Sequence, residues 1–267
     1  MAYGKLPVMI LSEMVSGDSN DTNALLAAYV LEHFQEIKDD SIRDLAAKTH
    51  VSASSISRFC RAIGLRDYME LKELTVSKRL KFEICSQSDI PAVQKDDYIS
   101  AVTDSMERVR RSIDMEKLER LARDIRRYPR VSIFGVVKGE TAAMNLQTDL
   151  AILGKAAVTK LRYAEQTRHL SKTGSDDLLI IFSYTGAFYD YGYPRIDRAA
   201  GKPGAKIYFI TSDPKAKQNP FYDEVIWFES LQNQASHPYQ LQLVAGLIAQ
   251  TYAHLLKEQE RNARETL

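Results

Sequence analysis

The sequence predicts two domains, an all-α bundle followed by a larger α/β domain, and three observations support this. A chain of 267 residues is long enough for two ordinary domains, which commonly hold ~100–200 residues each. Near the N-terminus, apolar residues recur at the spacing of three and four that places them on one face of a helix. Beyond residue 130, short apolar runs alternate with helix-length segments, a pattern typical of βαβ units with a parallel sheet.

The composition is that of a folded globular protein, with 45% hydrophobic and 27% charged residues. No apolar run approaches the ~18–20 residues that a membrane-spanning helix needs, and residues 1–15 lack the basic and small-residue features of a signal peptide. We therefore expect a cytoplasmic protein without a membrane partner. The two cysteines, Cys60 and Cys85, form no CxxC motif, so we expect neither a disulfide framework nor a metal site, and no cofactor.

The charge is distributed unevenly, although the net charge is only +1. Residues 1–40 carry two basic and seven acidic side chains, whereas residues 41–82 carry nine basic and four acidic ones. Nucleic-acid binding depends on local rather than total charge, so the basic segment is the place to look for it.

The first two helices of the bundle follow from spacing and capping. Leu26, Val30 and Phe34 lie four residues apart and share one helical face. Asp40 or Ser41 then caps a short second helix with the sequence IRDLAAKT.

A third helix begins at Ser52 and ends at Gly64, and a fourth extends from about Asp67 to Leu80. The third helix has an apolar stripe at i, i+3, i+4 and i+7, formed by Ile56, Phe59, Cys60 and Ile63. A short helix, a short turn and a capped second helix together predict a helix-turn-helix.

The face opposite this stripe carries the candidate DNA-binding residues. Hydroxyls near a helix N-terminus can contact phosphate oxygens, and arginines can bond phosphates or base edges. These residues are Ser52, Ser54, Ser55, Ser57, Arg58 and Arg61. Which of them contacts bases is left open. The alternative is an ordinary helical bundle, in which the serines cap and the arginines are merely solvated.

After the DNA-binding domain, predicted over residues 1–82, residues 83–97 form the best linker candidate because they lack an apolar period and contain Pro91. A helical segment over about 98–127 opens the α/β domain, predicted over 98–267. Four apolar runs then predict strands: VSIFGV, DLLIIFSY, AKIYFIT and DEVIWFE. A last amphipathic helix extends from roughly Pro238 to Glu258.

Two segments of the α/β domain are candidates for ligand binding. In parallel sheets, ligands bind beyond the carboxyl ends of strands, where glycine lets the backbone approach a phosphate. FGVVKGETA follows the first strand, and SYTG follows the second. The candidate effector-binding residues are Gly135, Lys138, Gly139, Ser183, Thr185 and Gly186. The alternative for Ser183 and Thr185 is that they cap the following helix.

The segment SIRDLAAKTHVSASSISRFCRAIGLRDYMELK closely resembles the N-terminal helix-turn-helix of the RpiR family of bacterial transcription regulators, through the phrases LAAKTHVS and SISRFCRAIGL. The resemblance covers roughly residues 5–82. It implies a C-terminal sugar-isomerase (SIS) domain with a central five-stranded parallel sheet that binds phosphosugars. It also implies double-stranded operator DNA as a partner, a homodimer or higher homo-oligomer, and regulation of sugar metabolism rather than catalysis.

The ligand segments depart from the SIS pattern. In the expected G-x-G-x-S, the second glycine is Val137 and the serine is Gly139. After SYTG, the usual hydroxyl and acidic residues are replaced by Ala187, Phe188 and Tyr189, which we expect to add aromatic bulk to the rim. Lys138 could supply a charge in place of the lost hydroxyl.

Three functional alternatives follow from these departures. The domain has a modified phosphosugar site, or it has lost its small ligand and serves DNA binding as a dimerisation unit. The third is a phosphosugar isomerase that uses Glu140 and His237 as its acid and base.

Overall fold

The computed structural model describes residues 5–18, 20–75, 82–190 and 204–265. Contacts divide these residues into two units. The first unit holds the residues up to Thr75 together with Lys160–Ser171 and residues 189–190, and the second holds the remainder. In the described parts of the chain, no helix has both the length and the apolar character needed to cross a membrane.

The elements follow one another in an order that separates a helical region from an α/β region. In chain order they are α1 (Lys5–Ser16), α2 (Thr22–Glu32), α3 (Ile42–Thr49), α4 (Ala53–Ala62), α5 (Tyr68–Thr75), α6 (Pro91–Ser112), α7 (Met115–Arg127), β1 (Arg130–Gly135), α8 (Lys138–Ile152), α9 (Tyr163–Leu170), β2 (Asp177–Phe182), β3 (Lys206–Thr211), β4 (Glu224–Trp227) and α10 (Ser236–Glu265).

The first unit is built around the predicted helical faces. Leu26, Val30 and Phe34 are buried, although α2 ends at Glu32, two residues before Phe34. The predicted fourth helix begins at Tyr68 as α5, and the part of that prediction beyond Thr75 lies outside the described residues. The helical N-terminal region is therefore confirmed.

Helix α9 belongs to this first unit, although it is distant from the other helices in the chain. Arg162, the residue before α9, forms an ion pair with the carboxylate of Asp21 at the start of α2. The hydroxyl of Ser16 donates to the carbonyl oxygen of Leu161 over 3.2 Å. These contacts join residues more than 100 positions apart, so no local pattern could have predicted them.

The second unit contains a parallel sheet in the order β1-β2-β3-β4. Ile133 pairs with Ile180, and Ile180 with Tyr208. These side chains belong to a core that includes residues of α7, α8 and α10. The six residues of β2 are all buried, as expected for a parallel strand covered on both faces.

The expectation of five strands is wrong, because the described residues form four. The place beside β1 is taken by a single residue, Val158, which forms an isolated parallel bridge with Ser132. The Ile133 amide donates to the Val158 carbonyl over 2.8 Å, and the Val158 amide donates to the Val131 carbonyl over 2.9 Å. Pairing does not extend further, because the chain over Lys160–Ser171 belongs to the first unit.

The helical part of the second unit begins earlier than the sequence pattern suggested. Helix α6 starts at Pro91, inside the predicted linker, with proline in the first turn where its missing N–H is not needed. The predicted helix over 98–127 is two helices, because Asp114 ends the first and caps the second, its carboxylate accepting from the Lys117 amide over 3.3 Å. Residues 82–90 are the part of the predicted linker that is not helical.

Candidate DNA-binding face and ligand cleft

The turn between α3 and α4 consists of His50, Val51 and Ser52. Ser41 caps α3 through a reciprocal capping box, in which its hydroxyl accepts from the Asp44 amide over 3.2 Å and its amide donates to the Asp44 carboxylate over 2.8 Å. Asp40, the other predicted cap, instead accepts from the Lys48 ammonium at 2.7 Å. His50 adopts the left-handed conformation at φ 55° and ends α3. The local sequence therefore folds into two short helices joined by a three-residue turn.

Helix α4 is capped at both ends. The Ser52 hydroxyl accepts from the Ser55 amide over 3.2 Å. At the C-terminal end, Gly64 adopts φ 81° and the Leu65 amide donates to the Cys60 carbonyl over 2.8 Å, a Schellman arrangement. The predicted stripe is buried in full, and its members are Ile56, Phe59, Cys60 and Ile63.

The opposite face of α4 is open to solvent. Ser54, Arg58 and Arg61 are exposed, and Ser55 and Ser57 are half-buried. The Arg58 guanidinium donates to the Ser55 hydroxyl over 2.9 Å, and neither arginine forms an ion pair with a carboxylate in the described residues. Both positive charges are thus available to an external anion. Contact of this face with DNA stays a prediction.

The SYTG segment does not present its first hydroxyl to solvent. Ser183 is buried, and its hydroxyl accepts from the Phe188 amide over 3.0 Å, which is the capping alternative. Gly186 adopts φ 76°, and a β-carbon there would lie 2.6 Å from a carboxylate oxygen of Asp213. Phe188 and Tyr189 are both buried, so the expectation that they add bulk to the rim is wrong. A bound phosphate would therefore have to compete with a backbone amide and face a carboxylate.

The glycines after β1 bring the first turn of α8 onto the end of the sheet. A β-carbon on Gly135 would lie 2.3 Å from the backbone carbon of Gly139, and one on Gly139 would lie 2.7 Å from the carbonyl oxygen of Phe182. Both residues are therefore required by packing. Between them, Val137 adopts φ 56° and ψ −110°, a conformation that costs little only for glycine. The backbone thus keeps a glycine-like turn without the glycine.

Lys138 opens onto a cleft of about 420 Å³ in the second unit. Its ammonium forms no ion pair in the described residues, and burial lowers the pKa of Lys138. The walls come mainly from the segment after residue 81, the first part of α6 and the residues around the start of α10. The lining residues are Phe82, Glu83, Ile84, Cys85, Ser86, Gln94, Tyr98, Lys138, Gln234, Ala235 and Pro238.

This cleft includes one of the predicted effector residues, Lys138, and none of Ser183, Thr185 or Gly186. Sequence reasoning missed Glu83 and Gln234, whose contact spans 151 positions. The one signal near them was the absence of an apolar period after residue 82.

His237 lies close to the Lys138 ammonium and stacks on the Tyr184 ring with centroids 4.1 Å apart. Its Nδ1 atom is buried without a hydrogen-bond partner in the described residues. Burial, reinforced by the nearby Lys138 charge, lowers the pKa of His237 to about 3, so the ring is neutral at neutral pH. The described contacts of His237 do not include Glu140, which is itself buried, so the suggested acid–base pair does not form.

The helix-turn-helix domain model of the rpiR family matches residues 13–81. An uncharacterized HTH-type transcriptional regulator of Caldanaerobacter subterraneus subsp. tengcongensis is 27% identical over 67% of this chain and 66% of its own length. The HTH-type transcriptional regulator HexR of Pseudomonas aeruginosa is 25% identical over 62% of this chain and 60% of its own length. The chain thus matches less than two thirds of either relative.

Two solved structures share the fold. The Vibrio vulnificus NanR protein complexed with ManNAc-6P superposes with a TM-score of 0.50 at 17% identity, covering 98% of this chain and 96% of the other. The E. coli CFT073 c3406 protein, solved in complex with a sugar phosphate, gives 0.52 at 16% identity over 64% of this chain and 94% of the other. The chain is therefore an RpiR-type regulator, with an rpiR-family helix-turn-helix domain followed by an SIS-like α/β unit.

Proposed function

We propose that this protein is a sequence-specific DNA-binding transcription regulator of sugar metabolism whose α/β unit binds a phosphorylated sugar. The observation that carries the proposal is the exposed face of α4, with serine hydroxyls at its N-terminal end and two arginines free of carboxylates in the described residues. A recognition helix needs these features, because backbone phosphates position the helix and base edges specify the sequence.

The predicted residues of this face divide into two roles. Ser52, Ser54 and Ser55 lie around the first turn of α4, where hydroxyls and free amides can meet a phosphate. Arg58 and Arg61 extend from the exposed face and can bond guanine or phosphate. Two copies of this head on a homodimer suit half-sites ~34–36 Å apart on an approximately palindromic operator.

A phosphorylated sugar is the ligand class that suits the second unit. The two solved structures that share the fold contain sugar phosphates, one of them ManNAc-6P. In this chain the cleft offers one lysine with no ion pair among the described residues, Lys138, at the start of α8. The cleft volume of about 420 Å³ falls within the range of ~300–1,000 Å³ usual for small-molecule sites.

The DNA-binding half is tested by selecting bound sequences from a random duplex library and measuring affinities by fluorescence anisotropy. Arg58→Ala and Arg61→Ala should each weaken the selected site about tenfold or more, since a lost arginine contact is worth ~1–3 kcal/mol. Arg66→Ala removes the same charge from an exposed residue after α4 that pairs with Glu70, and should change affinity less than about threefold. Unchanged binding in both α4 variants would reject the assignment.

We propose a binding rather than a catalytic role for the second unit. His237 is neutral and does not meet Glu140, so the acid and base that isomerisation requires are not paired. Incubation with aldose and ketose phosphates should give no turnover. Turnover that disappears in Glu140→Gln would instead favour an isomerase. Calorimetry with the same compounds separates a ligand-binding unit from one that has lost its ligand.

A further inference from the structure

The cleft at Lys138 is walled by the chain segment that leaves the helix-turn-helix region. Phe82–Ser86 all line it, opposite Lys138 and the residues before α10. The sequence expectation placed the effector on the loops after the strands, whereas the one predicted cation faces a surface partly formed by this segment. A ligand in the cleft would therefore contact the segment directly.

Two independent features make this cleft suited to an anion. Lys138 is half-buried with no ion pair in the described residues, at the first position of a 15-residue helix whose N-terminus has no side-chain cap. Nearby, the neutral His237 ring has a buried Nδ1 with no hydrogen-bond partner in the described part of the chain. A phosphate in the cleft would offset the desolvation that lowers the pKa of Lys138, and its oxygens could accept from the free helix amides.

Few contacts attach the segment to the rest of the unit. The Glu83 amide donates to the Gln234 side-chain oxygen over 3.2 Å, and the Gln234 amide donates to the Glu83 carboxylate over 3.2 Å. Phe82 and Ile84 remain 74% and 65% exposed, so apolar burial contributes little to holding the segment in place. The reciprocal Glu83–Gln234 pair is the main described link between the segment and the residues before α10.

We infer that a phosphorylated ligand at Lys138 opens the Glu83–Gln234 pair and releases Phe82–Ser86 from the cleft wall. The Glu83 carboxylate lines the same cleft as Lys138, so a bound phosphate brings a like charge beside it and weakens the pair. Because the segment directly follows the helix-turn-helix region in the chain, its release is a route by which ligand binding changes DNA affinity. The inference rests on the proposed sugar-phosphate response and adds where the ligand sits and what it moves.

The test uses Cys85, an exposed thiol within the segment, while the only other cysteine, Cys60, is buried. The full-length protein is labelled with neutral N-ethylmaleimide, and Cys85 modification is followed by mass spectrometry. The added compounds are inorganic phosphate, a panel of pentose and hexose phosphates, and the same sugars without phosphate. A phosphorylated ligand should accelerate Cys85 labelling about tenfold, the factor expected when two ordinary hydrogen bonds are lost. The sugars without phosphate should not.

Three variants sharpen this result. Glu83→Gln should label rapidly without ligand, because removing the charge weakens the pair. Lys138→Ala should lose both the calorimetric binding and the acceleration, whereas Lys215→Ala, an exposed lysine of the same unit that does not line the cleft, should keep both.

Each contrary outcome has a distinct meaning. Slower labelling with ligand, or binding without any change in labelling, overturns the release. Full binding in Lys138→Ala overturns the site while the proposed function stands. No binding of any sugar phosphate to the unsubstituted protein overturns the ligand half of the proposed function, which is a separate result.

Discussion

The carbonyl oxygen of Phe182 lies 2.7 Å from the position that a β-carbon on Gly139 would occupy. Real β-carbons do not come within 3.0 Å of a backbone atom, so helix α8 begins directly against the end of β2 and leaves no room for a side chain. The SIS pattern has a serine at this position. Its absence here follows from close packing of the helix on the sheet.

Replacing Gly139 should therefore destabilise the second unit. Gly139→Ala forces backbone atoms apart and should lower the free energy of unfolding by about 2 kcal/mol, as overpacking commonly does. Gly246→Ala is the matched control, since nothing lies within 4 Å of its added β-carbon and it lies within α10. That variant should be neutral or more stable by up to ~1 kcal/mol. Urea denaturation followed by circular dichroism measures both, and equal effects would contradict the close-packing explanation.

Val137 should be replaceable by glycine with a gain in stability. Its φ of 56° with ψ of −110° is unfavourable for a β-branched residue, and such strain costs about 1–3 kcal/mol. We expect Val137→Gly to raise the free energy of unfolding by about 1 kcal/mol once the lost side-chain burial and added chain entropy are subtracted. Val136→Gly, at a neighbour without positive φ, should lower it. A loss of stability in both variants would show that the turn is not strained.

Cys60 should make the first unit sensitive to alkaline pH. Burial raises the pKa of Cys60 to about 12 from an ordinary value of 9.0. Because the folded-state pKa is the higher one, this contribution to stability is complete below about pH 9 and is lost as the pH rises toward 12. Between about pH 8.5 and 10.5, the free energy of unfolding should fall more steeply in the unsubstituted protein than in Cys60→Ala. Parallel pH profiles would contradict a buried, protonated thiol.

The Arg162–Asp21 ion pair should stabilise α1 and α2 even though Arg162 lies 141 positions away from its partner. Arg162→Ala should increase amide hydrogen exchange in α1 and α2, because it leaves a partly buried carboxylate unpaired. Arg168→Ala is the control, an exposed arginine of α9 itself. A double-mutant cycle with Asp21→Ala should give a coupling of about 1 kcal/mol. Equal exchange in both single variants would reject this role for the pair.

Local features of the helix-turn-helix were predictable from the residues alone. The cap of α3, the buried stripe of α4 and the stop at Gly64 all depend on residues within one or two turns of each other. The comparisons confirm the RpiR assignment made from the same segment. Such features are readable because helix capping and amphipathic spacing act over a few residues.

The ligand side was less predictable. The sequence pointed to Gly135, Gly139 and Ser183 as phosphate contacts, yet the two glycines are required by packing and Ser183 caps its own loop. These atoms can serve either purpose, and the choice depends on what lies opposite them in space.

The linear pattern of residues was thus sufficient for the two-part architecture, for the parallel sheet and for the exposed face of α4. Folding in three dimensions settled the rest: that the sheet has four strands in the described residues, that α9 joins the first unit, and that Lys138 faces Glu83 and Gln234 across a cleft. Capping and amphipathic patterns act between neighbours in the chain. The Glu83–Gln234 and Arg162–Asp21 contacts join residues more than 100 positions apart, and no spacing rule encodes them.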